Sequence, residues 1–110
     1  ESEPVALLDV GACGAMLEGQ PGIAATSCDL CPEAGHPTAL QCDFLQLAVG
    51  PPGSAPLVLP CDEHPGGRLK RLPAAAFEGV LFSLVLSYLP LARQRGALVA
   101  QARRLLPTPA

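Results

Sequence analysis

Residues 5–14 read VALLDVGACG, and this stretch decides the fold. Its mostly aliphatic residues include an acid, Asp9, and run directly into Gly11 and Gly14. A short apolar run closed by glycines predicts a buried strand that feeds a tight turn. In an open parallel sheet, ligands bind beyond the carboxyl ends of the strands, where a glycine turn lets the backbone approach them. Glycine also ends ordinary strands, so this stretch alone leaves both a binding site and a plain turn open.

Three further strands are expected after this one. The second covers residues 23–30 and the third residues 38–45, and each has an acid at or near its end, Asp29 and Asp43. The fourth is VLFSLVL within residues 77–89, which is nearly uniformly apolar, as a central parallel strand should be.

Helical segments are expected between and after these strands. Residues 15–18 have the composition of a turn or two of helix, and residues 68–76 of one helical turn. Residues 91–106 predict a longer helix, because apolar side chains recur there at 3.6-residue spacing. Alternating strands and helices indicate an α/β fold, so we predict a Rossmann-like half-sheet of about four parallel strands.

The composition is that of a single domain. The chain has 110 residues, of which 49% are hydrophobic and 15% charged, enough apolar material for one core. Residues 50–67 are rich in proline and glycine and lack periodicity, which is typical of an inserted loop. No apolar run approaches the ~18–20 residues of a membrane span, and no signal-peptide pattern is visible. We therefore expect a cytoplasmic protein without membrane insertion.

Charge is divided unevenly along the chain. Residues 1–63 contain nine acids and no lysine or arginine, a net charge of −9, whereas residues 64–110 contain seven bases and one acid, a net charge of +6. Such asymmetry marks either a basic surface for RNA or an acidic partner, or two halves that neutralise each other. Mutual neutralisation is the simpler interpretation.

The cysteines suggest free thiols. Five cysteines, an odd number, without a secretory signal favour a reducing compartment. Cys28, Cys31, His36 and Cys42 have the spacing C-x2-C-x4-H-x5-C, which approaches a zinc knuckle. The last spacing is one residue too long, and the first and last ligands fall in or beside predicted strands, which hold side chains apart. We therefore expect no metal site.

Acids near successive strand ends favour a nucleoside site. Asp29 lies 18 residues beyond Gly11, close to the ~20-residue offset at which a carboxylate accepts hydrogen bonds from ribose hydroxyls. Asp43 is placed to accept a hydrogen bond from the exocyclic amine of adenine, and Phe44 to contact the ring with its side chain or backbone N–H. A single aspartate at a strand end is more often a turn cap. Three such acids beside a glycine turn favour the nucleoside.

The sequence of the glycine turn indicates which kind of nucleoside to expect. Residues 11–14, GACG, contain only part of the G-x-G-x-x-G pattern, and no G-x-x-x-x-G-K-[ST] is present. The helix expected after the turn is poor, so its N-terminus offers little to a pyrophosphate. A nucleoside without phosphates, S-adenosylmethionine, is therefore favoured.

Three motifs connect the chain to a known family. LLDVG (residues 7–11), CDFL (residues 42–45) and FSLVLSYLP (residues 82–90) resemble the SAMTOR family over nearly the whole chain. Its members are S-adenosylmethionine sensors upstream of TOR complex 1, related to a fungal methyltransferase that modifies adenine N1 of large-subunit ribosomal RNA. The resemblance implies a class I methyltransferase fold, S-adenosyl-L-methionine as the ligand, and regulatory protein complexes of the TOR pathway as partners.

The resemblance also assigns roles to five residues. Gly11 would contact the amino-acid portion of the ligand, Asp29 the ribose, Asp43 with Phe44 the adenine, and Ser83 the methionine end. Relatives carry an Asn-Pro-Phe-type segment where this chain has AML at residues 15–17. The family's N-terminal helical domain and its later strands have no counterpart here, so the resemblance implies a partial domain.

The same residues leave sensor and enzyme both open. N-methylases often place an Asn/Asp-Pro-Pro-aromatic motif after the fourth strand, but residues 83–88 read SLVLSY, without acid or amide. We interpret Tyr88 as a partly buried anchor, and His36 and His64 as solvated residues. The favoured function is a sensor that negatively regulates TOR complex 1 according to methionine and S-adenosylmethionine supply.

The alternative is a methyltransferase acting on adenine N1 of large-subunit ribosomal RNA. It would use the basic half, Arg68, Lys70, Arg71 and the helix of residues 93–104, against RNA phosphates. No catalytic residue is assigned in either case.

Overall fold

The structure is a computed structural model that describes residues 3–12, 15–83 and 89–108. Within these residues it is an α/β fold with seven strands in one sheet, one short 3-10 helix (Phe44–Gln46) and one α-helix. The strands are β1 (Val5–Val10), β2 (Ile23–Asp29), β3 (Leu40–Gln41), β4 (Ala48–Gly50), β5 (Leu57–Leu59), β6 (Arg68–Pro73) and β7 (Gly79–Phe82), and the α-helix is α1 (Ala92–Leu105).

The sheet is mostly parallel, with β1 near one side of it. Its order is β4-β6-β3-β2-β1-β7, and β5 pairs with β6 as the antiparallel member. Val10 lies opposite both Cys28 of β2 and Phe82 of β7, so these three strands end level with one another. The predicted parallel α/β sheet is confirmed. Its first, second and fourth predicted strands correspond to β1, β2 and β7, which are neighbours in the order β2-β1-β7.

The expected size of the sheet was too small. We predicted about four strands, whereas residues 48–73 add β4, β5 and β6. The segment predicted as a loop, residues 50–67, therefore contains β5, and the helical turn predicted in residues 68–76 is instead strand β6. Leu69 and Leu72 are both buried although they are three residues apart, a helical spacing. The spacing arises from a bulge, because Val58 pairs with Leu69 while the adjacent Leu57 pairs with Arg71, which leaves Lys70 as the extra residue.

Two other elements differ from expectation in length. The third strand was expected over residues 38–45 but covers only Leu40–Gln41, because the chain turns into the 3-10 helix at Asp43. The longer helix is confirmed with nearly the predicted bounds, although Leu91 and Val99 of its expected apolar stripe are exposed. The part of the fourth predicted strand in residues 84–88 lies outside the described residues.

The core lies between one face of the sheet and α1. Leu8, Val10 and Cys28 supply the sheet side of the core, and Leu98, Ala102 and Leu105 supply the helix side. Phe44 of the 3-10 helix meets Phe82 of β7 edge to face, with ring centroids 5.8 Å apart, a favourable aromatic geometry. None of the helices in the described ranges has the length and hydrophobicity that crossing a membrane requires.

The helix offers a direct test of which face carries the core. Leu105 is fully buried, whereas Val99 on the same helix is 53% exposed. Leu105→Ala should lower the free energy of unfolding by about 3 kcal/mol, since it removes buried methyl groups and leaves a cavity. Val99→Ala should change it by less than about 0.5 kcal/mol. Urea unfolding followed by circular dichroism measures both, and equal losses would contradict this packing.

Candidate functional site: a cleft at the strand ends

A cleft of about 380 Å³ opens where β1, β2 and β3 end. We call it the strand-end cleft. It is lined by Val10, Gly11, Asp29, Leu30, Cys31, Cys42, Asp43, Phe44, Leu45, Leu89 and Leu98. Gly11, Asp29, Asp43 and Phe44, which the sequence singled out as ligand residues, therefore lie around one cleft. Its volume is in the range of small-molecule sites.

The glycine turn forms one wall and is tied to the neighbouring strand. Gly11 has φ +83°, a left-handed conformation that favours glycine. Its N–H donates to the carbonyl of Cys28 at 2.8 Å, and the N–H of Ala12 donates to the same carbonyl at 3.1 Å. Both bonds fix the end of β1 against β2, and Gly11 lines the cleft next to them. Cys13 and Gly14 of the predicted turn lie outside the described residues.

The two cleft aspartates organise the turns that follow their strands. The Oδ1 atom of Asp29 accepts a hydrogen bond from the Cys31 N–H at 3.1 Å, and Oδ1 of Asp43 accepts one from the Leu45 N–H at 3.2 Å. The turn-cap role that the sequence left open is therefore present at both. A carboxylate accepts about four hydrogen bonds in all, so turn capping and ligand binding are compatible.

Phe44 is a core residue that also faces the cleft. It is 4% exposed and packs on Phe82, so its ring forms a rigid wall of the cleft. Leu89 and Leu98 line the same space, whose surface is mostly apolar. These two leucines were not among the predicted site residues, because the sequence gives no local signal that a helix residue such as Leu98 will reach the strand ends.

Ser83 is placed differently from the other predicted residues. It does not line the cleft. Its hydroxyl donates to Oδ1 of Asp9 at 2.8 Å, and its N–H donates to the Val10 carbonyl at 2.9 Å. Ser83 thus joins the end of β7 to the end of β1. Asp9 is only 4% exposed and lies opposite Ser27, which is 2% exposed.

The thiols of Cys28 and Cys42 interact beneath the cleft. A hydrogen bond from the Cys28 thiol, aided by the positive charge of Lys70, lowers the pKa of Cys42, which lines the cleft. The same hydrogen bond, with burial, raises the pKa of Cys28.

The zinc-like spacing has no counterpart in the geometry. No group of three or more His, Cys, Asp and Glu side chains able to hold a metal occurs in the described parts of the chain. The Nδ1 atom of His36 instead accepts hydrogen bonds from the N–H groups of Thr38 and Ala39, at 3.3 and 3.1 Å. This nitrogen therefore organises the loop before β3.

Comparison with known protein families adds no assignment. No family model matches the chain. The likeness to the SAMTOR family therefore rests on the three sequence motifs, and the function must be argued from the cleft.

The Ser83–Asp9 hydrogen bond provides a test of how the strand ends are held. Ser83→Ala removes a donor from a buried carboxylate, so the free energy of unfolding should fall by about 1–3 kcal/mol. Ser54→Ala is the matched control, because its hydroxyl donates to the Pro51 carbonyl at 2.6 Å in an exposed loop. The control substitution should lower the free energy of unfolding, measured by urea unfolding, by less than about 0.5 kcal/mol. A larger loss in Ser54→Ala than in Ser83→Ala would contradict this assignment.

Proposed function

We propose that the chain binds S-adenosyl-L-methionine in the strand-end cleft and acts as a cytoplasmic sensor that negatively regulates TOR complex 1. The observation that carries the binding proposal is the convergence of Gly11, Asp29 and Asp43 on one cleft at the carboxyl ends of parallel strands. Ligands of open α/β sheets bind at this edge. The sensor role and its partners, regulatory complexes of the TOR pathway, rest on the resemblance of the three motifs.

The charge of the cleft supports this ligand. Among the described residues its lining has two carboxylates, Asp29 and Asp43, and no lysine or arginine. S-Adenosylmethionine carries a sulfonium and an ammonium against one carboxylate, a net charge of +1. A cleft lined by acids and apolar side chains therefore suits this ligand better than a nucleotide, whose phosphates the acids would repel.

Each part of the ligand has a matching wall. In the proposed pose Asp29 accepts hydrogen bonds from the ribose diol, a pairing of two donors with two acceptor oxygens. Asp43 accepts from the adenine amine, while Phe44, Leu89 and Leu98 surround the ring. The backbone at Gly11 faces the methionine portion. Ser83, held by Asp9, acts on the ligand only through the position of the strand ends.

Sensing requires that a partner distinguish the occupied from the empty form. The energy for such a switch is limited to the difference in ligand affinity between the two forms. Cleft residues come from the sheet, from the turn at Asp29, and from α1 through Leu98. Ligand contacts with both the sheet and the helix would link occupancy to the position of α1, whose exposed side is available to a partner.

The enzyme alternative is a methyltransferase acting on adenine N1 of large-subunit ribosomal RNA. The described cleft lining contains no histidine, lysine or tyrosine that would manage the proton of an acceptor. A methyl-transfer assay on ribosomal RNA with the full-length protein separates the two. Turnover that disappears in Asp29→Ala would favour the enzyme over the sensor.

Binding can be tested residue by residue. Asp29→Ala and Asp43→Ala should each weaken S-adenosylmethionine binding by about 1–3 kcal/mol, because each leaves ligand donors without acceptors. The measurement is a calorimetric titration. Asp62→Ala, an exposed acid that does not line the cleft, controls for net charge and should bind as the wild type does. Unchanged affinity in both cleft variants would reject the site.

Thiol footprinting tests occupancy independently of those substitutions. Cys31 is exposed and lines the cleft, whereas Cys61 does not line it. Saturating S-adenosylmethionine should slow modification of Cys31 by a small methanethiosulfonate reagent and leave Cys61 unaffected. Peptide mass spectrometry resolves the two sites. Equal slowing at both thiols, or at neither, would argue against ligand in this cleft.

A further inference from the structure

A second cleft, of about 360 Å³, adjoins the first. We call it the basic cleft, and it is lined by Leu30, Gln41, Asp43, Gln46, Leu47, Arg68, Leu69 and Lys70. Leu30 and Asp43 belong to both clefts and form the wall between them. The proposed sensor function makes no use of this space; the methyltransferase alternative sets its two cations against RNA phosphates without assigning them a cleft.

Arg68 is held in position by neutral groups. Its Nε donates to Oε1 of Gln41 at 2.9 Å, and its Nη2 lies 3.8 Å from the thiol sulfur of Cys61. Gln41 is fixed in turn, because its Nε2 donates to the Leu30 carbonyl at 3.1 Å. The guanidinium is therefore oriented at the cleft without a carboxylate to neutralise it.

The lining of the basic cleft is positive on balance. It has two cations, Arg68 and Lys70, against one acid, Asp43. In the described part of the chain neither Arg68 nor Lys70 forms an ion pair within 4.0 Å. Two cations and two amide side chains against one acid in a concave space are a composition that attracts an anion.

We propose that the basic cleft binds the phosphate group of a second ligand, beside the S-adenosylmethionine site. A guanidinium supplies a fixed fork of donors, and an ammonium supplies a mobile point charge. Both groups form charge-assisted hydrogen bonds with phosphate oxygens. Gln46 adds a neutral donor at the same cleft. The phosphate is that of a small phosphate ester or of a nucleic-acid strand, and the cleft has room for either.

The test uses inorganic phosphate as the first probe, titrated into the whole chain and followed by ³¹P NMR line width. Arg68→Gln and Lys70→Gln should each weaken phosphate binding on the order of tenfold, the loss of one charge-assisted contact. Arg71→Gln is the matched control. Arg71 lies on the same strand but does not line the cleft, and its side chain lies against Gly50. It should bind phosphate as the wild type does.

Three results would overturn the proposal. An equal loss of phosphate affinity in all three variants would indicate surface charge alone. Acetate that competes as well as phosphate, or wild-type phosphate affinity in Arg68→Gln and Lys70→Gln, would also contradict a phosphate site. Circular dichroism checks that the variants are folded. An S-adenosylmethionine titration in the same variants should give wild-type affinity, so failure of either site is recognised separately.

A short RNA oligomer as a second probe identifies the source of the phosphate. If RNA binding falls in Arg68→Gln and Lys70→Gln but not in Arg71→Gln, the cleft takes a nucleic-acid phosphate. If phosphate binding falls in those two variants while RNA binding does not, the ligand is a small phosphate ester. Both results support the phosphate site and differ only in what delivers it.

Discussion

The pairing of β1 with β2 on one side and β7 on the other is the constraint on which the rest depends. Both pairings are parallel and in register, and Val10 lies opposite both Cys28 and Phe82, so the three strands end at about the same level. Hydrogen bonds then close the ends, from Gly11 to the Cys28 carbonyl and from Ser83 to the Val10 carbonyl. A slip of one residue would turn Asp9 into the core and Val10 out of it. The strand-end cleft exists because this register brings three chain turns to one edge.

The shortness of β3 explains why there are two clefts and not one. Only two residues of this segment are strand, after which Asp43 caps a 3-10 helix and turns the chain aside. The turn places Phe44 in the core, and it leaves Asp43 and Leu30 as a shared wall. β3 pairs with β6 only through Gln41 and Arg68, and the basic cleft lies beside this short pairing.

The sequence could predict those elements whose apolar pattern matched a regular period. Residues 5–10 and 91–106 did so, and both appear nearly as expected. β6 was missed because its bulge spaces Leu69 and Leu72 like helix residues, and β5 because proline and glycine surround it. The meeting of Gly11, Asp29 and Asp43 followed from the rule that parallel strands end together. The contributions of Leu98 and Leu89, and the Ser83–Asp9 bond, depend on tertiary packing that no local pattern encodes.

The uneven distribution of charge acquires a physical meaning in this arrangement. Two of the acids in the first half, Asp29 and Asp43, cap turns at the ends of β2 and β3, so they face the strand-end cleft. Two of the bases in the second half lie on β6 and face the basic cleft. The two signs are therefore unevenly divided between neighbouring concave sites, with Asp43 in the lining of both, and Arg68 and Lys70 form no ion pair among the described residues. The strand-end cleft has only acids among the charged residues of its described lining, whereas the bases outnumber the acid in the basic cleft, so the charge asymmetry of the sequence reappears as a difference in charge between two adjoining clefts.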